Sequence, residues 1–164
     1  WPWLWRLHAV HHSDTELDVT TTHRHHPLEN LLSVLWVLPI WLLLRPPLGA
    51  MLRYTLLAVV VSTWSHGNLK LPQRVDRVLR LLIVTPAYHR VHHSAHQAQT
   101  DSNYATVLTV FDHLFRTASA APSDSGHSLT MGLETEREPQ DQSLARLLAS
   151  PFTTPREAKR PRTA

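Results

Sequence analysis

The chain has 164 residues, enough for one domain of ordinary size, and 43% of them are hydrophobic. It contains 13 histidines but no cysteine, which excludes disulfides and thiolate metal ligands. Sixteen basic and 13 acidic side chains give a formal charge of only +3, so we do not expect nucleic-acid binding. Because the sequence begins at Trp1 without an initiator methionine, we interpret it as a piece of a longer protein.

The first predicted element is a helix that carries a histidine triplet, and a second helix repeats it. The stretches "LHAVHHSD" at 7–14 and "YHRVHHS" at 88–94 share the pattern H-x-x-H-H-S. Positions i, i+3 and i+4 lie on one face of a helix, so each triplet converges on one point. Imidazole nitrogens are good ligands for iron, zinc and copper. We therefore predict a metal site formed by His8, His11, His12, His89, His92 and His93.

Between the first triplet and the next element lie more polar residues that can support a metal site. Asp14 and Asp18 are candidates because carboxylates commonly orient ligating imidazoles, although both equally fit a surface position. In "THRHHPLE" we expect His26 to support the site or the fold, and His23 and His25 to be solvated.

Residues 31–64 are mostly apolar and predict a membrane-embedded helical hairpin with Arg45-Pro46-Pro47 at its tip. The alternative is a pair of buried helices in a soluble all-α protein, which Pro39 and Arg53 make worth considering. A hairpin returns the chain to the side from which it left, so both histidine triplets lie at one membrane face. The basic residues on that side predict that it is cytoplasmic: Arg6, Arg24, Lys70, Arg74, Arg77 and Arg80.

His66 lies where the hairpin returns to the histidine side, in "WSHGNLKLP". It is a candidate seventh ligand, or alternatively a histidine that caps the helix end beside Gly67-Asn68. Seven histidines exceed the four ligands of one structural zinc and indicate two metal ions. A dinuclear imidazole site beside a membrane is suited to oxygen activation.

The stretch "QRVDRVLRLLIV" at 73–84 has apolar residues at i, i+3, i+4 and i+7 with arginines opposite. It predicts an amphipathic helix at the membrane interface or, equally, one packed on a protein core. Pro86 marks the start of the second histidine helix. Beyond Thr117 the composition predicts a polar tail at 118–164, with one short helix at "QSLARLLAS" and a loose basic end.

Four stretches in this order resemble the fatty acid hydroxylase and sterol desaturase superfamily from about Trp3 to Thr117: "LWRLHAVHHSD", "HRHHPLE", "HGNLKLP" and "TPAYHRVHHS". The resemblance implies an all-α, integral-membrane domain at 1–117 with two non-haem iron ions, for which zinc can substitute in preparations. It implies hydroxylation or desaturation of a lipid, of fatty acid or sterol type. The reaction uses O2 and electrons from a cytochrome b5-like or ferredoxin-like partner. By the same resemblance His66 and both triplets are metal ligands.

The sequence also departs from the family pattern. The family carries another histidine box, H-R-x-x-x-H, before the Leu-Trp-Arg segment, so we expect the site in this chain to lack some ligands. In "TDSNYATVLTVFDHLFRT", Ala105, Phe111 and Arg116 replace Gly, Trp and Gly, whereas the family pattern is kept at Asn103, Tyr104, Asp112 and Thr117. We treat the last four as supporting residues. Two alternatives stay open: a degenerate or non-catalytic membrane metal-binding protein, and a soluble histidine-rich zinc protein.

Overall fold

A computed structural model describes residues 1–120, 122 and 126–153, and this part of the chain is helical, with no strand longer than an isolated bridge. Its α-helices are α1 (Pro2–His12), α2 (Pro27–Leu44), α3 (Leu48–His66), α4 (Gln73–Leu79), α5 (Pro86–His92), α6 (Gln97–Thr100), α7 (Val110–Phe115) and α8 (Leu144–Ala149). Short 3₁₀ helices cover Val19–His23, Pro139–Gln142 and Ser150–Phe152. The predicted all-α class is confirmed.

Helices α2 and α3 form the predicted hairpin, joined at 45–47. Pro27 occupies the first turn of α2, and Arg45 ends it in the left-handed conformation with φ of 46°. Both helices are long and apolar enough to cross a membrane. None of the residues of α2 is buried, and those buried in α3 lie only near its end, at Val61, Ser65 and His66. The exposed apolar side chains between them fit lipid better than water, which favours the membrane hairpin over two helices of a soluble core.

A small apolar core joins the end of the hairpin to the second histidine helix. It contains Val61 of α3 with Val84 and Tyr88, and Val84 is completely buried. The indole Nε1 of Trp64 donates a hydrogen bond to the carbonyl of Val84 at 3.2 Å. The Thr85 hydroxyl caps α5 by accepting from the backbone N–H of Tyr88. These contacts hold α5 against the end of α3.

The amphipathic helix predicted at 73–84 is shorter than expected. Helix α4 ends at Leu79 and a turn follows. The reason is a competing backbone pairing, because the N–H of Val84 donates to the carbonyl of Val107 at 3.0 Å, and Ile83 forms an antiparallel bridge with Leu108. Residues 80–82 therefore form a turn, and residues 82–84 pair with the segment that leads into α7.

The segment 103–117 is held together by the buried carboxylate of Asp112. This carboxylate accepts hydrogen bonds from the Tyr88 hydroxyl at 3.0 Å, the Thr117 hydroxyl at 2.6 Å, and the backbone N–H groups of Tyr104 and Ala105 at 3.0 and 2.8 Å. Four donors stabilise a buried charge that would otherwise be costly. Asp112 thereby connects α7 and the loop before it to α5.

Residues 126–153 pack against α1 and its surroundings instead of extending away from them. The side chain of Gln142 donates to the carbonyl of Ser13 at 3.1 Å, and Arg24 donates to Gln142. Arg6 of α1 donates to the carbonyl of Thr153. Helix α8 lies within the stretch for which a short helix is predicted. The loose basic end expected at 154–164 lies outside the described residues.

Candidate metal centre

Four imidazoles from three helices meet at one point. His11 comes from α1, His66 from the last residue of α3, His89 from α5, and His93 from the position directly after α5. Their Nε2 atoms form a chain of three contacts, His11 to His66, His66 to His89 and His89 to His93, each 3.1 Å long. We call these residues the four-histidine group.

The four-histidine group fits a metal ion in both geometry and donor type. Four nitrogen ligands at the usual metal–nitrogen distance of about 2.0–2.1 Å around a tetrahedral ion lie roughly 3.3–3.4 Å apart, close to the contacts seen here. The Nδ1 of His66 lies 2.7 Å from the carbonyl of Ser62 and must donate to it, so its Nε2 presents a lone pair to the group. This bond combines the two interpretations of His66, since one ring nitrogen holds the helix end and the other faces the cluster.

Three of these imidazoles have no hydrogen-bond partner at their second ring nitrogen in the described part of the chain. The buried Nδ1 atoms of His11, His89 and His93 lack hydrogen bonds within the described part of the chain. Burying polar nitrogens without partners is unfavourable, by about 1–3 kcal/mol each. A bond from the Nε2 atom of each of these rings to a metal ion would offset the cost of burying the unpaired Nδ1.

A second set of imidazoles lies beside the first. His8 and His12 of α1 and His92 of α5 form the three-histidine group, in which the Nε2 atoms of His8 and His12 lie 3.1 Å apart. The Nδ1 of His92 donates to the carbonyls of Thr100 and Ser102, both at 2.9 Å, which turns its Nε2 lone pair toward the group. His12 and His93 stack at 4.5 Å between the two groups. The two triplets thus mix, each helix giving ligand candidates to both groups.

Glu29, in the first turn of α2, is a supporting residue that the sequence analysis missed. Its carboxylate accepts a hydrogen bond from His8 Nδ1 at 2.7 Å and another from His25 Nδ1 at 3.0 Å. His25, expected to be solvated, is half-buried and stacks on His11 at 4.3 Å with an angle of 8° between the rings. The sequence offered one signal, the Glu at i+4 from His25 in "HHPLE".

Burial keeps the imidazoles of His12, His89, His92 and His93 neutral, which is the form that binds metals. Desolvation, reinforced by neighbouring imidazoles, holds the pKa of His12, His89 and His93 well below the usual histidine value. For His92, burial and the nearby His8 lower the pKa to about 4, with the carbonyls of Ser102 and Thr100 acting in the opposite direction. At neutral pH these ring nitrogens therefore carry lone pairs.

The remaining supporting candidates lie around the centre. The carboxylate of Asp14 accepts from the Thr21 hydroxyl at 2.7 Å and lies 3.8 Å from Arg24, and that of Asp18 caps the first 3₁₀ helix. His26 is buried and caps α2, and its Nε2 donates to the carbonyl of Leu148. His23 is exposed. All of these contacts organise the loop between α1 and α2.

On the other side of the centre, the ring of Tyr104 contacts a clustered histidine. Its ring packs edge-on against His92 at 5.6 Å. Asn103 is fully buried with φ of 54°, and its side chain donates to the carbonyls of Tyr88 and Ser119. Asp112 accepts hydrogen bonds from the backbone N–H groups of Tyr104 and Ala105, as described above. These residues fix the segment that borders the three-histidine group.

The described fold and the centre define a helical membrane protein with a buried polyhistidine cluster suited to binding metal. A model of the fatty acid hydroxylase family matches residues 1–117, so the chain belongs to that family. This confirms the family resemblance seen in the sequence motifs. Metal dependence and a membrane location follow from the family together with the histidine cluster and the hairpin.

Curated relatives include two kinds of lipid-oxidising protein. Alkylglycerol monooxygenase of Homo sapiens is 30% identical over 135 residues, covering 80% of this chain and 28% of that protein. Ornithine lipid hydroxylase OlsE of Rhizobium tropici is 33% identical over 123 residues, covering 74% of this chain and 36% of that protein. The chain therefore spans about a third of the length of these relatives. No solved structure gives a significant match to the chain.

Proposed function

We propose that this chain forms the metal-binding part of an enzyme that hydroxylates a lipid C–H bond with O2 at a two-iron centre. The observation that carries the proposal is the arrangement of seven imidazoles in two adjoining groups. In this assignment one iron is held by the four-histidine group and the other by the three-histidine group. The domain that performs this chemistry corresponds to residues 1–117, and residues 126–153 support α1.

The reaction consumes one lipid C–H bond, one O2, two electrons and two protons, and it yields an alcohol and water. When bound, the iron ions supply O2 reduction and oxidation of the C–H bond. The chain itself keeps the most deeply buried imidazoles neutral, and hydrogen bonds fix the tautomers of His8, His66 and His92. Ser62, Thr100 and Ser102 accept from the ring nitrogens that face away from the centre, and so does Glu29.

The position of the centre also supports a lipid substrate. His66 ends one helix of the hairpin and Glu29 lies in the first turn of the other, so the imidazoles lie where the apolar hairpin meets the polar part of the fold. A lipid lying beside the hairpin reaches the centre without leaving the bilayer. The charge pattern around this end supports a cytoplasmic orientation, where a soluble or membrane-bound redox protein of cytochrome b5-like or ferredoxin-like type delivers the electrons.

Hydroxylation is favoured over desaturation by the names of the relatives, a monooxygenase and a hydroxylase. Both outcomes begin with removal of one hydrogen from the lipid. They differ in whether the carbon then receives a hydroxyl group or loses a second hydrogen. Product analysis therefore distinguishes them directly.

The test is oxygen incorporation by the chain in host membranes supplied with iron. Cells expressing the protein are grown under ¹⁸O2, and their lipids are analysed by mass spectrometry for hydroxylated species carrying ¹⁸O. Iron per chain and its Mössbauer spectrum are measured on the detergent-purified protein. A coupled iron pair with labelled lipid that disappears in His89→Ala supports the proposal. Two bound irons with no labelled lipid instead support a metal-binding role.

A non-catalytic metal-binding role is the second candidate, favoured by the residues at 105, 111 and 116. Arg116 adopts the left-handed conformation with φ of 59° at a position where the resemblance predicts glycine. Phe111 is 57% exposed where a tryptophan is expected. Restoring the pattern with Ala105→Gly, Phe111→Trp and Arg116→Gly distinguishes the candidates, since a weakened enzyme gains ¹⁸O incorporation and a non-catalytic protein does not.

A further inference from the structure

Two segments outside the metal centre are held side by side by backbone hydrogen bonds. The N–H of Val84 donates to the carbonyl of Val107 at 3.0 Å, and that of Thr109 donates to the carbonyl of Leu82 at 3.2 Å. These bonds join the stretch after α4 to the start of α7. We call residues 69–83 and 107–117 together the lateral surface.

The lateral surface exposes large apolar side chains that nothing in the described part of the chain covers. Six of them are more than half exposed: Val78 at 65%, Leu81 at 58%, Leu82 at 67%, Phe111 at 57%, Leu114 at 69% and Phe115 at 71%. Single exposed apolar residues are ordinary, but a group of this size on two neighbouring segments indicates an apolar partner.

The charges of the lateral surface identify the chemistry of that partner. Its exposed charged side chains are all basic: Lys70, Arg74, Arg77 and Arg116. Its two acids are buried and already bonded, Asp76 to the Thr85 hydroxyl at 2.6 Å and to Arg80 at 3.6 Å, and Asp112 to the four donors described above. An apolar surface with a basic rim fits the headgroup region of an anionic bilayer.

The lateral surface also continues from the hairpin. Leu69 follows shortly after the end of α3, and the bond from Trp64 to the carbonyl of Val84 ties the end of α3 to the stretch after α4. A bilayer crossed by the hairpin therefore has its polar boundary beside this surface.

We propose that the lateral surface is a second membrane contact, in which α7 and residues 73–83 insert apolar side chains into the boundary of an anionic leaflet. The amphipathic pattern at 73–84 indicates one half of this contact, and the structure adds α7, whose sequence alone gave no such indication. This contact would set the position and orientation of the protein in the membrane. It does not depend on whether the histidines bind metal.

Because the chain contains no cysteine, single cysteines can report on this contact. Leu82→Cys and Leu114→Cys are labelled with an environment-sensitive fluorophore, and each protein is placed in nanodiscs containing phosphatidylserine and a spin-labelled lipid quencher. Leu43→Cys in α2 is the membrane control, and Ala145→Cys on the exposed part of α8 is the aqueous control. We expect quenching at 82 and 114 near that at 43 and well above that at 145.

Two results would overturn the proposal. One is quenching at 82 and 114 as low as at 145. The other is a fluorophore shielded from water without lipid quenching, which would show that a second copy or another protein covers the surface.

A charge test examines the choice of anionic lipid. The triple variant Arg74→Gln, Arg77→Gln, Arg116→Gln is compared with Arg45→Gln at the tip of the hairpin. Each arginine near an anionic surface favours the bound state roughly fivefold, so we expect the triple variant to lose most quenching at 114. In the triple variant, quenching at 43 should stay at the level of the parent protein. In Arg45→Gln, quenching at 114 should also stay at that level. Equal quenching at 114 in the triple variant and the parent would show that the basic rim does not contact lipid.

Discussion

The carboxylate of Glu29 lies 2.7 Å from Nδ1 of His8 and 3.0 Å from Nδ1 of His25, and accepts a hydrogen bond from each. The first bond directs the Nε2 lone pair of His8 toward His12. The second fixes His25, which stacks on His11 at 4.3 Å. One carboxylate at the start of the hairpin therefore orients an imidazole of each histidine group, directly in one case and through a stacked ring in the other.

Replacing Glu29 by glutamine should weaken metal binding without unfolding the protein. A glutamine side chain has one acceptor oxygen, and its amide nitrogen would face the other imidazole N–H. We expect the affinity for Zn²⁺ to fall about 10–100-fold, as is usual for residues that orient metal-bound histidines. Competition with a chelator measures the change, and Glu16→Gln, at an exposed carboxylate, is the matched control. Unchanged affinity in Glu29→Gln would show that the two bonds do not orient the ligands.

The division of the imidazoles into two groups predicts that each ion can be removed separately. His66→Ala removes a nitrogen from the four-histidine group, and His92→Ala removes one from the three-histidine group. We expect each variant to keep one of two Co²⁺ ions, with different visible absorption spectra because the remaining ligand sets differ. Metal analysis and absorption titrations measure this. Loss of the same ion in both variants would contradict the division.

The variant Asp112→Asn should destabilise the fold. The amide nitrogen would face donors that now bond to a carboxylate oxygen, and hydrogen bonds to a buried charge would be lost. We expect the free energy of unfolding to fall by about 3 kcal/mol. Chemical denaturation in detergent followed by circular dichroism measures it, with Asp101→Asn at an exposed carboxylate as the control. Wild-type stability would mean that the hydrogen bonds of Asp112 make little net contribution.

Arg116 is the residue whose substitution we expect to stabilise the protein. It ends α7 with φ of 59°, a conformation that costs a side-chain-bearing residue about 1–2 kcal/mol. Arg116→Gly removes this strain but adds freedom to the unfolded chain, so the net gain should be about 0.5–1 kcal/mol. Arg116→Ala removes the charge and keeps the strain. Equal stability in both variants would trace the effect to the charge instead of the backbone.

The part of the centre that sequence could predict depends on regular geometry. Spacing along α1 and α5 requires that each histidine triplet share a face, and a hairpin requires that its two ends lie together. The bonds of Glu29 and the stacking of His25 depend instead on how the loop after α1 folds back, which no periodic pattern encodes. The same holds for His26, whose cap on α2 and bond to Leu148 join residues far apart in sequence.

Outside the centre, the least predictable features were also long-range. The end of α4 at Leu79 is set by pairing with Val107 and Leu108, residues that local propensity at 73–84 does not include. The composition of residues 118–164 predicts a polar tail, yet in its described part Gln142 and its neighbours find hydrogen-bond partners around α1. Polar segments can be fixed by specific bonds even where they offer little apolar surface to bury.

Because His66 is the final residue of α3, the imidazoles stand at the end of the hairpin and not halfway along it. A lipid in its normal bilayer orientation presents its carbons in order of depth, with the carbons next to the headgroup nearest this level. For the lipid hydroxylation proposed above, we therefore expect the length of α3 to determine which carbon is oxidised. Shortening or lengthening this helix by one turn would move the hydroxyl group along the substrate by about 5.4 Å, or roughly four carbons of an extended chain.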